Sequence, residues 1–129
     1  MQTIFPILRY TDARAAISWL CATFGFTEIF SVPATGPFVR HAQLSLGSNL
    51  IMLGSNRDDG LKSPAVLGAA TQALCVYVTD VDEHFERARL AGAEITSPPR
   101  DTDFGFREYH VRDSEGHPWT FSNYLPKSE

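Results

Sequence analysis

His41, Gln43, Glu108 and His110 are the residues of this chain whose types and spacing could do chemistry together. Two imidazoles and a carboxylate can hold a metal ion or share general acid–base work. Each pair is two residues apart, and alternate residues of a strand share a face. The residues between and beside them are apolar: Ala42, Leu44, Leu46, Ile51 and Leu53 in one stretch, Tyr109, Val111, Trp119 and Phe121 in another. That parity assigns the apolar set to a packed outer face. It leaves His41, Gln43 and Met52, and then Glu108, His110 and Thr120, for an inner one. On this reading the four polar residues converge on one wall, and His41, Glu108 and His110 are the catalytic candidates. The plainer alternative has them hydrogen-bond one another or meet solvent, and a register slip of one residue would invert the assignment.

Other side chains carry two readings each. Arg9 shares the inward parity of the first strand with Phe5 and Ile7, so it could bind a carboxylate or phosphate or pair with a surface acid. Tyr77 and Cys75 share the parity of a later strand, where Tyr77 could hydrogen-bond a ligand or simply pack. Arg107 guards a pocket mouth or is solvated. Cys21 and Cys75 form no CxxC pair and are expected as buried thiols. Residues Pro98 to Phe106 read as a long irregular connection, in which Phe104 and Phe106 either close over an aromatic ligand or pack on a sheet edge. Trp19 and Trp119 are expected in the core. His84 is expected on the exposed side of a helix and His117 beside a turn, both without a chemical role.

The elements that must position these residues come in two copies. Leu8-Arg9-Tyr10-Thr11-Asp12 resembles Val76-Tyr77-Val78-Thr79-Asp80 at an offset of 68 residues. A helical pattern follows each: Ile17, Leu20, Cys21 and Phe24 in the first, Val81, Phe85 and Ala88 in the second. Asp12 and Asp80 suit N-caps, Asp80 with Glu83 suits a capping box, and Gly25 and Gly92 suit helix stops. A short strand is expected next, Phe26 to Val32 and Ala93 to Thr96, and then a hairpin. The first hairpin turns near Gly47-Ser48-Asn49, and the second at Asp113-Ser114-Glu115-Gly116, where Asp-x-x-Gly is turn chemistry. Residues 56–70, rich in Gly, Asp, Ser and Pro, read as a linker between a module of about 1–55 and one of about 71–129. The expected fold is α+β, two βαβββ modules.

Composition bounds the rest. A chain of 129 residues with 43% apolar content is one domain's worth with material for a core. A net charge of −4 without a basic cluster disfavours nucleic acid. No apolar run approaches the ~18 residues of a membrane span. Met1 to Tyr10 does not read as a signal peptide, so a cytoplasmic protein without a membrane partner is expected.

The run Leu8-Arg9-Tyr10-Thr11-Asp12-Ala13-Arg14-Ala15-Ala16-Ile17-Ser18-Trp19-Leu20, with Phe24-Gly25-Phe26, resembles the opening of vicinal oxygen chelate proteins, the glyoxalase/bleomycin-resistance/extradiol dioxygenase fold. Val78-Thr79-Asp80-Val81-Asp82 leading to Ala91-Gly92-Ala93, and the closing Arg112-Asp113-Ser114-Glu115-Gly116-His117-Pro118-Trp119-Thr120-Phe121, resemble later parts of it. The resemblance implies a mixed sheet curled around a cavity with helices outside, and a homodimer whose cavity is sometimes shared between chains. It also implies a divalent metal held by His, Glu or Gln at positions that match Phe5, Met52, Ala73 and Thr120 here. None of these four is a usual ligand, so no metal cofactor is expected. The reading that follows is a bleomycin-resistance-like protein that binds a small organic ligand. Its pocket is expected to be lined by Phe5, Ile7, Arg9, Gln43, Met52, Ala73, Cys75, Tyr77, Phe104 and Thr120. The alternatives are a lyase, isomerase or dioxygenase using a shifted site on His41, Glu108 and His110, and a divergent module whose dimer surface serves regulation.

Overall fold

A computed structural model describes residues 1–128. Two compact units emerge from it, Met1–Ala70 together with Ser114–Gly116, and Thr71–Asp113 together with the chain from His117 onward.

The first unit contains β1 (Ile7–Tyr10), α1 (Ala13–Phe24), β2 (Thr27–Val32), β3 (His41–Leu46), β4 (Asn49–Ser55) and the short α2 (Pro64–Leu67). Its sheet has the order β1-β4-β3-β2, with β1 parallel to β4 and the other pairs antiparallel. The second unit contains β5 (Leu74–Tyr77), α3 (Val81–Leu90), β6 (Glu94–Asp101), β7 (Arg107–Arg112) and β8 (Pro118–Ser122). Its sheet repeats the topology as β5-β8-β7-β6, again with one parallel pair, β5 with β8. The fold is thus α+β, and the βαβββ repeat expected from the sequence is present in both halves. Register keeps the offset too, for Ile7 pairs with Met52 as Cys75 pairs with Thr120. No helix of the described residues is long and apolar enough to cross a membrane.

Helix boundaries follow their caps. The Asp12 carboxylate accepts from the Ala15 amide at 3.0 Å, and that of Asp80 from the Glu83 amide at 3.0 Å. Gly25 ends α1 with φ of 90°, a left-handed conformation that costs an L side chain energy. In α3 the cap falls on Ala91, and Gly92 takes the positive φ one residue later.

Each sheet buries one face beneath its own helix. Leu8, Tyr10, Ala42, Leu44, Ile51 and Leu53 are buried in the first unit, together with Ile17, Leu20 and Phe24 of α1. Tyr109, Val111, Trp119 and Phe121 are buried in the second, with Val81 and Ala88 of α3. Leu46, at the end of β3, is only half-buried. Alternation leaves the opposite face of each sheet without a helix, and there His41, Gln43, Met52, Glu108, His110 and Thr120 are all half-buried.

Four expectations need correcting. The stretch from Pro98 is not irregular: β6 runs through Pro98 and Pro99 to Asp101, so the connection shrinks to residues 102–106. The prolines are tolerated because β6 is an edge strand with register shifts after Ile95 and Ser97, where ladder donors are dispensable. Residues 56–70 are more than a linker, since Ser63 caps the helical turn α2 within them. His84 does not face solvent: its ring stacks on Phe121 at 3.9 Å between centroids, and its Nδ1 lies 2.6 Å from the Tyr109 hydroxyl. Finally, Cys75 is exposed and Cys21 only half-buried, because Cys75 sits on the face of its sheet that carries no helix.

Candidate functional site

The two helix-free faces hold the residues singled out from sequence, and each face has its own chemistry. On the first sheet, Ile7, Met52, Gln43 and Phe30 lie in one row across β1, β4, β3 and β2. The Gln43 amide nitrogen meets His41 Nε2 at 3.1 Å, and the His41 ring lies 5.7 Å from that of Phe30.

The next row contains Arg9 opposite Gly54. Here a cavity of about 210 Å³ opens, walled by Ile7, Met52, His41, Arg9, Arg40 and Arg57. Gly54 forms part of its floor for a steric reason. A Cβ at this position would stand 2.5 Å from Arg57 Nη2 and 2.8 Å from the Arg40 carbonyl oxygen, so only glycine lets the guanidinium lie over the strand. Arg57 Nη2 donates to that carbonyl at 2.6 Å, and its guanidinium carbon lies 6.0 Å from the centre of the Phe38 ring. The Arg9 side chain is 10% exposed and donates from Nη2 to Asp59 Oδ2 at 2.8 Å. Desolvation pushes the Asp59 carboxyl up, but the Leu61 amide, the guanidinium of Arg9 and the charge of Arg57 outweigh it and hold the carboxyl below its usual range. Of the two readings for Arg9, the pairing with an acid is present, and the acid stands beside the cavity.

On the second sheet, Cys75, Thr120, His110 and Ser97 form one row, and Tyr77, Ser122, Glu108 and Arg100 the next. The rows are bridged by a chain of hydrogen bonds. Thr120 Oγ1 lies 2.7 Å from His110 Nδ1, His110 Nε2 lies 2.8 Å from Glu108 Oε2, and Arg100 Nη2 reaches the same oxygen at 3.3 Å. A carboxylate only accepts, so on the neutral ring Nε2 carries the proton and Nδ1 accepts from the threonine hydroxyl. That arrangement can take a proton from a group at Thr120. Cys75 is a poor nucleophile, because desolvation by the surrounding sheet and then the Glu108 charge push its thiol up, despite its exposure as a residue.

The four polar residues expected on one wall therefore make partners locally, His41 with Gln43 and Glu108 with His110. The hairpin registers make these pairs equivalent: Gln43 stands opposite Met52 as His110 stands opposite Thr120. Phe5 and Ala73 lie just ahead of β1 and β5, and Phe5, Ile7 and Tyr77 are exposed apolar side chains. Phe104 is exposed, with its ring 6.4 Å from that of Phe106, which in turn lies 4.8 Å from that of Tyr124. Arg107 is engaged with Asp82 at 3.0 Å and Asp101 at 3.2 Å. Sequence reasoning missed Arg40 and Arg57. The glycine that follows the apolar run Leu50 to Leu53, Gly54, was the available signal of a close approach.

The metal implied by the resemblance does not fit the residues at its positions. Met52 offers a thioether between Ile7 and Gln43, Thr120 offers a hydroxyl already engaged by His110, and Phe5 and Ala73 offer no donor. Among the described residues no three His, Cys, Asp or Glu side chains are grouped so as to hold an ion.

Residues 3–121 match the family model of the Glyoxalase/Bleomycin resistance protein/Dioxygenase superfamily. An uncharacterised protein of Mycobacterium bovis is 34% identical over 119 residues, covering 89% of this chain and 78% of its own. TioX from Micromonospora sp. ML1 has a similar structure, with a TM-score of 0.77 and 36% identity over 99% of this chain and 100% of that one. A glyoxalase/bleomycin resistance protein/dioxygenase family enzyme from Burkholderia phytofirmans PsJN is similar in fold, with a TM-score of 0.71 at 19% identity over 94% of this chain and 97% of its own.

Proposed function

The chain belongs to the Glyoxalase/Bleomycin resistance protein/Dioxygenase superfamily, and from that premise we propose that it binds a small organic ligand on its helix-free sheet faces without a resident metal. The observation that carries this reading is the cavity on the first sheet, where the apolar walls of Ile7 and Met52 meet the polar groups of Arg9 and His41. Apolar walls with a few fixed polar groups suit an organic molecule, since burial supplies affinity and the polar groups set orientation. The protein works as a cytoplasmic homodimer on this reading. Support for the dimer comes from Phe5, Ile7, Phe30 and Tyr77, large apolar side chains left open to water on a single chain. Support for the compartment comes from its two free cysteines, which a reducing environment preserves.

Thermal denaturation against a panel of neutral, cationic and anionic aromatic compounds tests the reading. A ligand for the folded state raises the melting temperature in proportion to the logarithm of its concentration. A panel that leaves the melting temperature unchanged throughout overturns it.

A second reading has one observation in its favour, the chain from Thr120 through His110 to Glu108. An imidazole whose far nitrogen is fixed by a carboxylate is a ready general base, which suits proton transfer of the isomerase or lyase kind. His41 has no carboxylate partner of that sort, only the Gln43 amide, so in this reading His110 is the base and Glu108 orients it.

A further inference from the structure

We infer that the cavity over Gly54 is a subsite for the anionic end of the ligand, a carboxylate or phosphate gripped by Arg40 and Arg57 beside the Arg9–Asp59 pair. The inference rests on the reading of this face as a ligand site and adds the ligand's charge class.

The residues around the cavity include three guanidiniums and one histidine, and no lining residue is acidic. This is unusual for a chain with a net charge of −4. One carboxylate, Asp59, stands within ion-pair distance of Arg9. Arg40 and Arg57 form no ion pair among the described residues. Arg57 donates to a backbone carbonyl, and its Nε is buried with no acceptor in reach. Three guanidiniums against the single carboxylate of Asp59, which pairs with Arg9 and also feels the Arg57 charge, leave the lining net positive, and the planar fork of a guanidinium matches the two oxygens of a carboxylate or phosphate.

The position of Arg57 is also built in. Gly54 leaves it the space above the strand, the Arg40 carbonyl ties down Nη2, and Phe38 lies beside it. Such fixing lowers the ordering cost that a free surface arginine would incur on binding. The apolar side of the same cavity, Ile7 and Met52, then suits an aromatic or aliphatic body attached to the anion.

Calorimetric titration of the full chain with 2-naphthoate, its neutral isostere 2-naphthamide and inorganic phosphate tests this, in the parent protein and in Arg57→Gln and Arg40→Gln. Far-UV circular dichroism and thermal melts confirm that each variant folds, and loss of folding in one leaves the other to decide. The expected result is naphthoate binding about tenfold or more tighter than naphthamide, as suits hydrogen bonds to a charged group. That preference weakens with salt and falls toward unity in the variants. Phosphate binding alone, lost in the variants, assigns the subsite to phosphate esters instead of carboxylates and supports the inference equally. Equal binding of the acid and the amide, or a preference that survives both substitutions, overturns the anion subsite and leaves the small-molecule reading standing. Failure of all three probes to bind, together with a panel that never shifts the melting temperature, overturns both.

Discussion

His110 Nε2 lies 2.8 Å from the Oε2 of Glu108, two residues back along the same strand, and an acceptor-only carboxylate there favours the proton on that ring nitrogen. The neutral ring is expected as the Nε2–H form, with Nδ1 open to Thr120. Nitrogen-15 NMR of the labelled protein reads this directly. Glu108→Gln removes the purely accepting partner and raises the Nδ1–H population. An Nδ1–H ring in the parent protein removes His110 as a base toward Thr120. If turnover is found, His110→Ala is expected to lower it by roughly 10²- to 10⁴-fold, the usual range for a lost general base.

Gly54→Ala is expected to destabilise the first unit by about 1–3 kcal/mol, as overpacking does in a filled site. The added methyl meets Arg57 Nη2, which can swing away, and the Arg40 carbonyl, which is backbone and cannot. Urea denaturation measures the loss. The same substitution displaces Arg57, so binding of 2-naphthoate should weaken with it. A neutral effect on both stability and binding contradicts the role assigned to this glycine.

Asp113 is buried, and its two oxygens serve different partners: Oδ1 accepts from the His117 amide at 3.0 Å and Oδ2 from Trp119 Nε1 at 3.0 Å. Asp113→Ala strands a buried indole N–H and opens the turn, at a cost of about 1–3 kcal/mol. Asp113→Asn retains one acceptor and should cost less. Chemical denaturation followed by tryptophan fluorescence distinguishes the two.

Glu115, which counts with the first unit, sits at the start of α1. Its carboxylate accepts from the amides of Thr11 at 2.6 Å and Asp12 at 2.8 Å, and from the Ser63 hydroxyl at 2.6 Å. Desolvation pushes this carboxyl up, but the hydrogen bonds from Ser63 and from the amides of Asp12 and Thr11 outweigh it and leave it below its ordinary value. A folded-state value below the unfolded one means the stabilisation is fully present above the unfolded carboxylate range. It disappears as pH falls through the folded value. The stability difference between the parent and Glu115→Gln should therefore be constant near neutrality and shrink on acidification below about pH 4. A difference that grows as the pH falls contradicts the sign.

Metal analysis of protein purified without chelators should find no stoichiometric ion, because the residues at Phe5, Met52, Ala73 and Thr120 supply no imidazole or carboxylate. One tightly held zinc, nickel, manganese or iron per chain overturns the metal-free proposal.

The fold was legible because its signals are local and doubled. Each aspartate cap, each glycine stop and each alternating hairpin has a counterpart one module later, and a chance pattern at Leu8 to Asp12 is unlikely to recur at Val76 to Asp80 with the same sequel. Parity on the hairpins was legible for the same reason, since Leu44 and Leu53, like Val111 and Phe121, are too apolar to face outward. Two local signals misled. Pro98-Pro99 ordinarily marks a loop, and only its place on a sheet edge makes it a strand. His84 is a polar residue, yet it stands three residues after Val81 and four before Ala88, on the buried stripe of α3. The arginine cluster was hidden for another reason. Arg9, Arg40 and Arg57 are far apart in sequence and come together through strand pairing, which no window of sequence contains.

The consecutive prolines of β6 also limit how molecules of this protein can meet. A strand arriving from another copy must zip onto a row of free backbone N–H groups, and Pro98 and Pro99 have none to give. At these two positions the rim of the second sheet is chemically blunt, which disfavours growth of its ladder from that side.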